Sequence, residues 1–288
     1  MCAVRRIDKV IKGKPTVEGA GVHLKRSFGN NEVPFFDPFL LLDDFHSDNP
    51  QDYLKGFPWH PHRGIETITY VLHGEIDHGD SMGNKGIIYP GDVQWMTAGS
   101  GIIHQEMPKG QKDGLMWGFQ LWANLPASHK MMAPRYRDVK SSQIPQIVTG
   151  DAALVKIICG QVDGTRGPVQ DIVIAPEYLD VTVRPESQFR RSMGRGRTVL
   201  AYVIEGTGHF DANRESLLGP EHLVVFADGD EILVTTQEKS VRFLLISGQP
   251  IKEPVAWYGP IVMNTQEELR TAFEEYQDGT FLKHIQPG

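Results

Sequence analysis

Tyr70-Val-Leu-His-Gly74 and, 132 residues later, Tyr202-Val-Ile-Glu-Gly206 are each a short run of strand-forming residues closed by a glycine. A strand and glycine turn met twice in the same order marks an internal duplication. The correspondence extends outward: Gly91-Asp92 answers to Gly229-Asp230, and Phe119-Gln-Leu-Trp-Ala-Asn-Leu-Pro126 to Phe243-Leu-Leu-Ile-Ser-Gly-Gln-Pro250. Gly91 to Pro126 spans 35 positions where Gly229 to Pro250 spans 21, so the first copy carries extra residues, and His104 and Glu106 fall among them. Helical periodicity is nearly absent before about residue 263, and 30 glycines and 19 prolines punctuate short runs rich in Val, Ile, Thr, Tyr and Trp. The pattern predicts an all-β fold of two jelly-roll barrels with a C-terminal helix, a pair of packed sandwiches being the alternative.

The 288 residues suit two domains of ordinary size. We expect a first barrel over 1–135, a linker over 136–150 containing the polar stretch Lys140-Ser-Ser-Gln-Ile-Pro145, a second barrel over 151–262, and a helix and tail over 263–288. The helix is predicted from Asn264 as cap with Glu267 three residues on, and from Leu269, Phe273 and Tyr276 at helical intervals.

Only two cysteines occur, Cys2 and Cys159, which excludes a disulfide framework and a Cys-rich zinc site. Any metal must use His and carboxylate ligands. The net charge is −7 and no Lys/Arg run exceeds a pair, so direct nucleic-acid binding is not expected. Arg190, Arg191, Arg195 and Arg197 form the one basic concentration, read as an anion patch or, more commonly, a solvated loop face. No apolar run approaches a membrane span and the start has no secretory pattern, so a cytoplasmic location is expected, extending to the nucleus in a eukaryote.

In Gly56-Phe-Pro-Trp-His60-Pro-His62-Arg-Gly-Ile-Glu66-Thr-Ile-Thr-Tyr70 the two histidines are two apart and share one face of a strand. Glu66, Ile68, Tyr70 and Leu72 have the same parity if no bulge intervenes. Pro61 cannot donate to a ladder, so this strand should lie at an edge and leave an opening. His104 and Glu106 are again two apart. Two such pairs inside a barrel give a nitrogen and oxygen set for one divalent transition metal: iron(II), manganese, nickel, cobalt or zinc. Spacing leaves Glu66 and Glu106 both open as the carboxylate. His73 and His78, past the glycine turn, are read as exposed loop histidines in preference to a secondary site.

The segments Phe57-Pro-Trp-His-Pro-His-Arg-Gly-Ile-Glu-Thr67 and Pro90-Gly-Asp-Val-Gln-Trp-Met-Thr-Ala-Gly-Ser-Gly-Ile-Ile-His-Gln-Glu-Met-Pro108 resemble the pirin family of bicupins. Asp37-Pro-Phe-Leu-Leu-Leu-Asp-Asp-Phe45 and Gly259-Pro-Ile-Val-Met-Asn-Thr265 look like pirin motifs too, so the resemblance covers nearly the whole chain. It implies two cupin barrels, with iron in the first held by His60, His62, His104 and Glu106, Glu66 left out of the ligand set, and a metal-free second barrel. Copper joins the alternatives to iron. Family members resemble either quercetin 2,3-dioxygenases, which open a flavonol ring with O2 and release carbon monoxide, or redox-responsive regulators that bind a transcription factor or metabolic enzyme as protein partner. For the enzyme reading Glu106 is the catalytic candidate. Phe57, Trp59, Trp95, Met96, Trp117 and Phe119 are candidates for a pocket accepting a small flavonol-like aromatic and O2.

Overall fold

The computed structural model describes residues 3–150 and 152–284. The chain is mostly β and forms two compact units, which differ from the contiguous partition expected from sequence. One unit joins the segment up to Gly13 to Ser142–Pro250; the other joins Lys14–Ser141 to the chain from Ile251 onward. Strand pairing is the reason. Ile7–Lys12 lies antiparallel to His222–Phe226 and so completes the sheet of the second repeat. From Ile251 the chain returns to the unit of the first repeat, so the C-terminal residues are part of that unit and not a detached tail. Residues 285–288 of the expected tail lie outside the described residues.

In the unit of the second repeat, seven antiparallel strands run in the order Ile7–Lys12, His222–Phe226, Thr198–Gly206, Val241–Gly248, Glu177–Val183, Ala153–Cys159, Gln146–Thr149. A second sheet pairs Gln188–Ser192 with Glu231–Thr235. Its interior is apolar: Phe189 and Phe210 both pack edge-on against Phe243, among Val155, Leu179, Val203 and Val234. By the 132-residue offset Ser192 and Gly194 stand where the first repeat carries His60 and His62, and Met193 between them packs into this apolar core. The arginine cluster is engaged throughout: Arg190 with Glu231, Arg191 with Glu177, Arg195 with Asp230, and Arg197 with the Ala175 carbonyl. That leaves the solvated-face reading and not an anion patch.

In the other unit a seven-stranded antiparallel sheet runs Arg135–Val139, Val93–Thr97, Ile65–His73, Met116–Asn124, Phe39–Ser47, Val22–Phe28, Lys14–Glu18. Opposite lies a four-stranded sheet, Phe57–His62, Ile102–Lys109, Glu75–Asp80, Lys85–Ile88, with Phe57–His62 at its edge as Pro61 requires. The chain leaves this edge strand at His62 and enters the larger sheet at Ile65, turning at Gly64 with φ +78°. A Cβ on Gly64 would sit 1.9 Å from the Val262 carbonyl oxygen. Gly64→Ala is therefore expected to lower stability by at least about 2 kcal/mol, from the left-handed backbone and the clash together, read as a fall in the denaturation midpoint.

The helix spans Gln266–Gln277 and starts one residue later than predicted. Thr265 caps it and Glu268 closes the capping box, while the Asn264 amide nitrogen donates to Glu253 and the Pro254 carbonyl. Leu269 and Ala272 are its buried residues, while Tyr276 is 39% exposed. No helix among the described residues is long and apolar enough to cross a membrane.

Candidate metal centre

Cross-strand register brings the two ligand pairs together. His104 lies opposite His60, and Ile102 opposite His62. The three imidazoles converge with ring centroids 4.4 Å (His60 to His104), 4.8 Å (His60 to His62) and 5.0 Å (His62 to His104) apart, and one nitrogen of each lies within 4.8 Å of the others. His60 Nδ1 is 2.8 Å from the Pro58 carbonyl oxygen and His62 Nδ1 is 3.0 Å from that of Pro260. A carbonyl can only accept, so each Nδ1 donates and each Nε2 keeps its lone pair. Those two Nε2 atoms face one another at 3.0 Å. Both ring nitrogens of the fully buried His104 lack a hydrogen-bond partner among the described residues. Burial pushes the pKa of His60 down and those of His62 and His104 well down, with neighbouring imidazoles adding to the effect on the last two. Neutral imidazoles with converging, unpartnered lone pairs are the donor set of a divalent transition metal.

Glu106 is 4% exposed and stands outside the three-histidine cluster. A register shift separates it from His104, and its carboxyl group meets Thr69 Oγ1 at 2.8 Å and Gln120 Nε2 at 3.4 Å. Thr69 Oγ1 is also 2.6 Å from Gln120 Oε1. One hydroxyl proton cannot serve two acceptors. The arrangement closes if Glu106 is protonated and donates to Thr69, Thr69 to Gln120, and the Gln120 amide back to Glu106. Burial raises the Glu106 pKa to about 7.

Glu66 is placed elsewhere. The turn at Gly64 carries the chain into the other sheet, so the parity of His60 and His62 does not continue into Ile65–His73. Glu66 instead accepts hydrogen bonds from Trp95 Nε1 (3.1 Å) and Thr97 Oγ1 (2.6 Å), and Thr69, of the opposite parity, faces Glu106.

On that inner face the sheet carries one continuous polar row. Arg26, Asp43, Gln120, Thr69, Gln94 and Asp138 are successive register partners across six strands. Above part of it opens a cavity of about 580 Å³ bounded by Val22, Leu24, Leu41, Phe45, Phe57 and Ile76, with His60, His62, Thr69, Glu106 and Gln120 on its wall.

Of the predicted pocket residues only Phe57 lines this cavity. Trp95, Trp117 and Phe119 share the outward parity of Glu66 in their strands, Trp117 stacking on His46 and bonding Asp44. Met96 packs with Ile65 and Ile102, and Trp59 is 51% exposed. Beside Phe45 and Phe57, the aromatic walls are Trp122, edge-on to His62 at 5.0 Å, and Trp257, brought in by the returning C-terminal chain. His78 is buried and not a loop residue. It lies opposite Glu106 in register, 5.5 Å from His104 between ring centroids and stacked on Tyr136, with neither ring nitrogen partnered among the described residues, and burial lowers its pKa to about 4. His73 instead meets Asp113 at 3.0 Å.

Two buried cations brace the loop after His62. Lys130 Nζ donates to Gly64 O, Asn124 Oδ1 and Val262 O, and burial lowers its pKa to about 7. Arg63 donates to the carbonyls of Ser100 and Phe281 and lies over the Phe281 ring.

Two jelly-roll units, one with an apolar interior and one with a histidine centre beside a buried carboxyl group, define a bicupin with one candidate metal site among the described residues. The Pirin family model matches residues 21–123 and the pirin C-terminal cupin domain model matches 178–282, so the chain belongs to the pirin family. A pirin-like protein of Caulobacter vibrioides is 44% identical over 96% of this chain and 99% of its own length. One of Solanum lycopersicum is 41% identical over 96% of this chain and 92% of its own. Among solved structures, quercetin 2,3-dioxygenase of Acinetobacter baumannii is similar with a TM-score of 0.88 at 30% identity, covering 99% of this chain and all of that one.

Proposed function

We propose that the protein is a metal-dependent dioxygenase that opens flavonols such as quercetin with O2, with His60, His62, His104 and Glu106 as ligands of one divalent metal, iron(II) in the native state. The observation that carries this reading is the histidine trio. Two Nε2 lone pairs at 3.0 Å and an unpartnered buried imidazole call for a cation between them, on the wall of a cavity able to take a flat ring system. Histidines with one carboxylate and open positions favour non-haem iron. The likeness to the Acinetobacter baumannii enzyme supports the choice of reaction.

A metal in this set supplies Lewis acidity toward a flavonol 3-hydroxyl and the redox capacity that reaction with O2 demands. The chain supplies the rest. The apolar walls, with Trp122 and Trp257, hold the rings and exclude water. Glu106, on the cavity wall beside the histidines, takes up the proton of the 3-hydroxyl by loosening its bond to the metal, and the contacts with Thr69 and Gln120 hold its carboxyl group in place before and after.

Protein loaded in turn with iron, manganese, nickel, cobalt or copper and given quercetin under air is expected to bleach the flavonol absorbance and release one carbon monoxide per ring opened. Absence of turnover with all five metals would remove the flavonol reading.

A further inference from the structure

The Glu106 end of the cavity is not its only polar end. Asp43, 4% exposed, lies in the same wall, one strand beyond Gln120 and two beyond Thr69 in the polar row. Two strand spacings place it roughly 10 Å from Thr69. Arg26 grips it from the next strand with both ends of its fork, Nε to Oδ1 at 2.8 Å and the second nitrogen to Oδ2 at 2.7 Å. The remaining Arg26 nitrogen meets Glu18 at 2.8 Å, and both residues also line the cavity. Two carboxylates against one guanidinium leave this end with an excess of acceptors and of negative charge. Around it the wall is hydrocarbon: Val22, Leu24, Leu41 and Phe45.

We propose that Asp43, locked by Arg26, is a specificity-determining residue of the cavity and accepts a hydrogen bond from a phenolic hydroxyl on the part of the ligand remote from the histidines. Each Asp43 oxygen accepts one bond from Arg26 and retains a second lone pair. A buried carboxylate fixed by a bidentate pair is a preorganised acceptor, because its orientation is set before the ligand arrives. The site selects a neutral polyhydroxylated aromatic long enough to reach from the metal centre to Asp43. It discriminates against the same skeleton without hydroxyls, which would cover the carboxylate with hydrocarbon, and against one bearing a carboxylate or sulfonate there.

The proposal rests on the flavonol reading, and the test separates the two. Binding of quercetin and of 3-hydroxyflavone, which keeps only the metal-facing hydroxyl, is measured by tryptophan fluorescence quenching on metal-loaded wild type, Asp43→Ala and the double variant Arg26→Met/Asp43→Leu. The double variant removes both charges together, so that no unpaired buried cation can unfold the protein. A charge-assisted hydrogen bond corresponds to roughly tenfold or more in affinity. Wild type is therefore expected to favour quercetin by at least that factor, and both variants to lose tenfold for quercetin while changing less than threefold for 3-hydroxyflavone. Equal loss for the two ligands, or unchanged discrimination in the variants, overturns the role of Asp43 while leaving the flavonol reading in force. If neither flavonol binds any of the proteins, the flavonol reading fails and the proposal with it.

Discussion

His104→Ala is expected to leave a folded protein that holds no metal. His104 is the member of the trio with no hydrogen bond of its own, fully buried among His60, His62 and His78. In the metal-free protein the substitution deletes two unsatisfied polar atoms and leaves a cavity. The gain from the first offsets part of the cost of the second, so the metal-free denaturation midpoint should move little. The metal-loaded state behaves differently. Ligand binding stabilises the fold in proportion to the logarithm of saturation, about 2.7 kcal/mol at a hundredfold excess over the dissociation constant. Wild type should therefore show a rise of several degrees on metal addition, and the variant none. Elemental analysis after loading and desalting is expected to give one metal per wild-type chain and less than about a tenth of that for His104→Ala. Retention of the full metal content would exclude the trio as the binding site.

Much of this arrangement can be read without coordinates, and the parts that cannot fail for identifiable physical reasons. The duplicated strand and glycine turn survive as Ile65–His73 and Thr198–Gly206, central strands of their respective sheets, because alternation and turn chemistry are local properties. Spacing of two places His60 with His62 correctly, and Pro61 correctly assigns their strand to an edge. Parity fails at Gly64, where a single turn changes sheets and reverses which residues of the next strand face the cavity. That one reversal turns Glu66 to the other face and brings Thr69 inward, and in the neighbouring strands Gln120 and Trp122 share the face of Thr69 while Trp95 and Phe119 share that of Glu66. The crossing of Ile7–Lys12 and of the chain from Ile251 between units is invisible for another reason: strand pairing over two hundred residues of separation leaves no local signature. The alternation Ile76, His78, Asp80 was available to mark His78 as inward, since Ile76 and His78 share a face and both are buried.

Metal affinity is expected to fall steeply below neutral pH, and Glu106 sets where the fall begins. Its pKa is raised to about 7 by burial, from an ordinary value near 4.5. A ligand carboxylate must be ionised, so metal competes with one proton below pH 7 and with none above it. The apparent affinity should be flat from about pH 9 to 7 and then drop roughly tenfold per unit, about a hundredfold by pH 5. Burial lowers the pKa of each histidine below the usual imidazole value, so their protons enter the competition later in the acid range than that of Glu106. The same shift has the opposite sign in the metal-free fold. A carboxyl group whose folded pKa lies above its unfolded one burdens the native state most above pH 7, and the burden lifts as pH falls from 7 to 4.5. The Glu106 contribution therefore favours the empty site as pH falls, whereas the buried histidines, with pKa values below the usual imidazole value, cost the empty fold stability in acid. Calorimetric titration with metal in buffers of different ionisation enthalpy reads the proton count directly, with close to one proton released per metal at pH 6 and close to none at pH 8. Glu106→Gln should abolish the release at pH 6 and lower affinity at pH 8. Undiminished proton release in that variant would transfer the titration to another group in the centre.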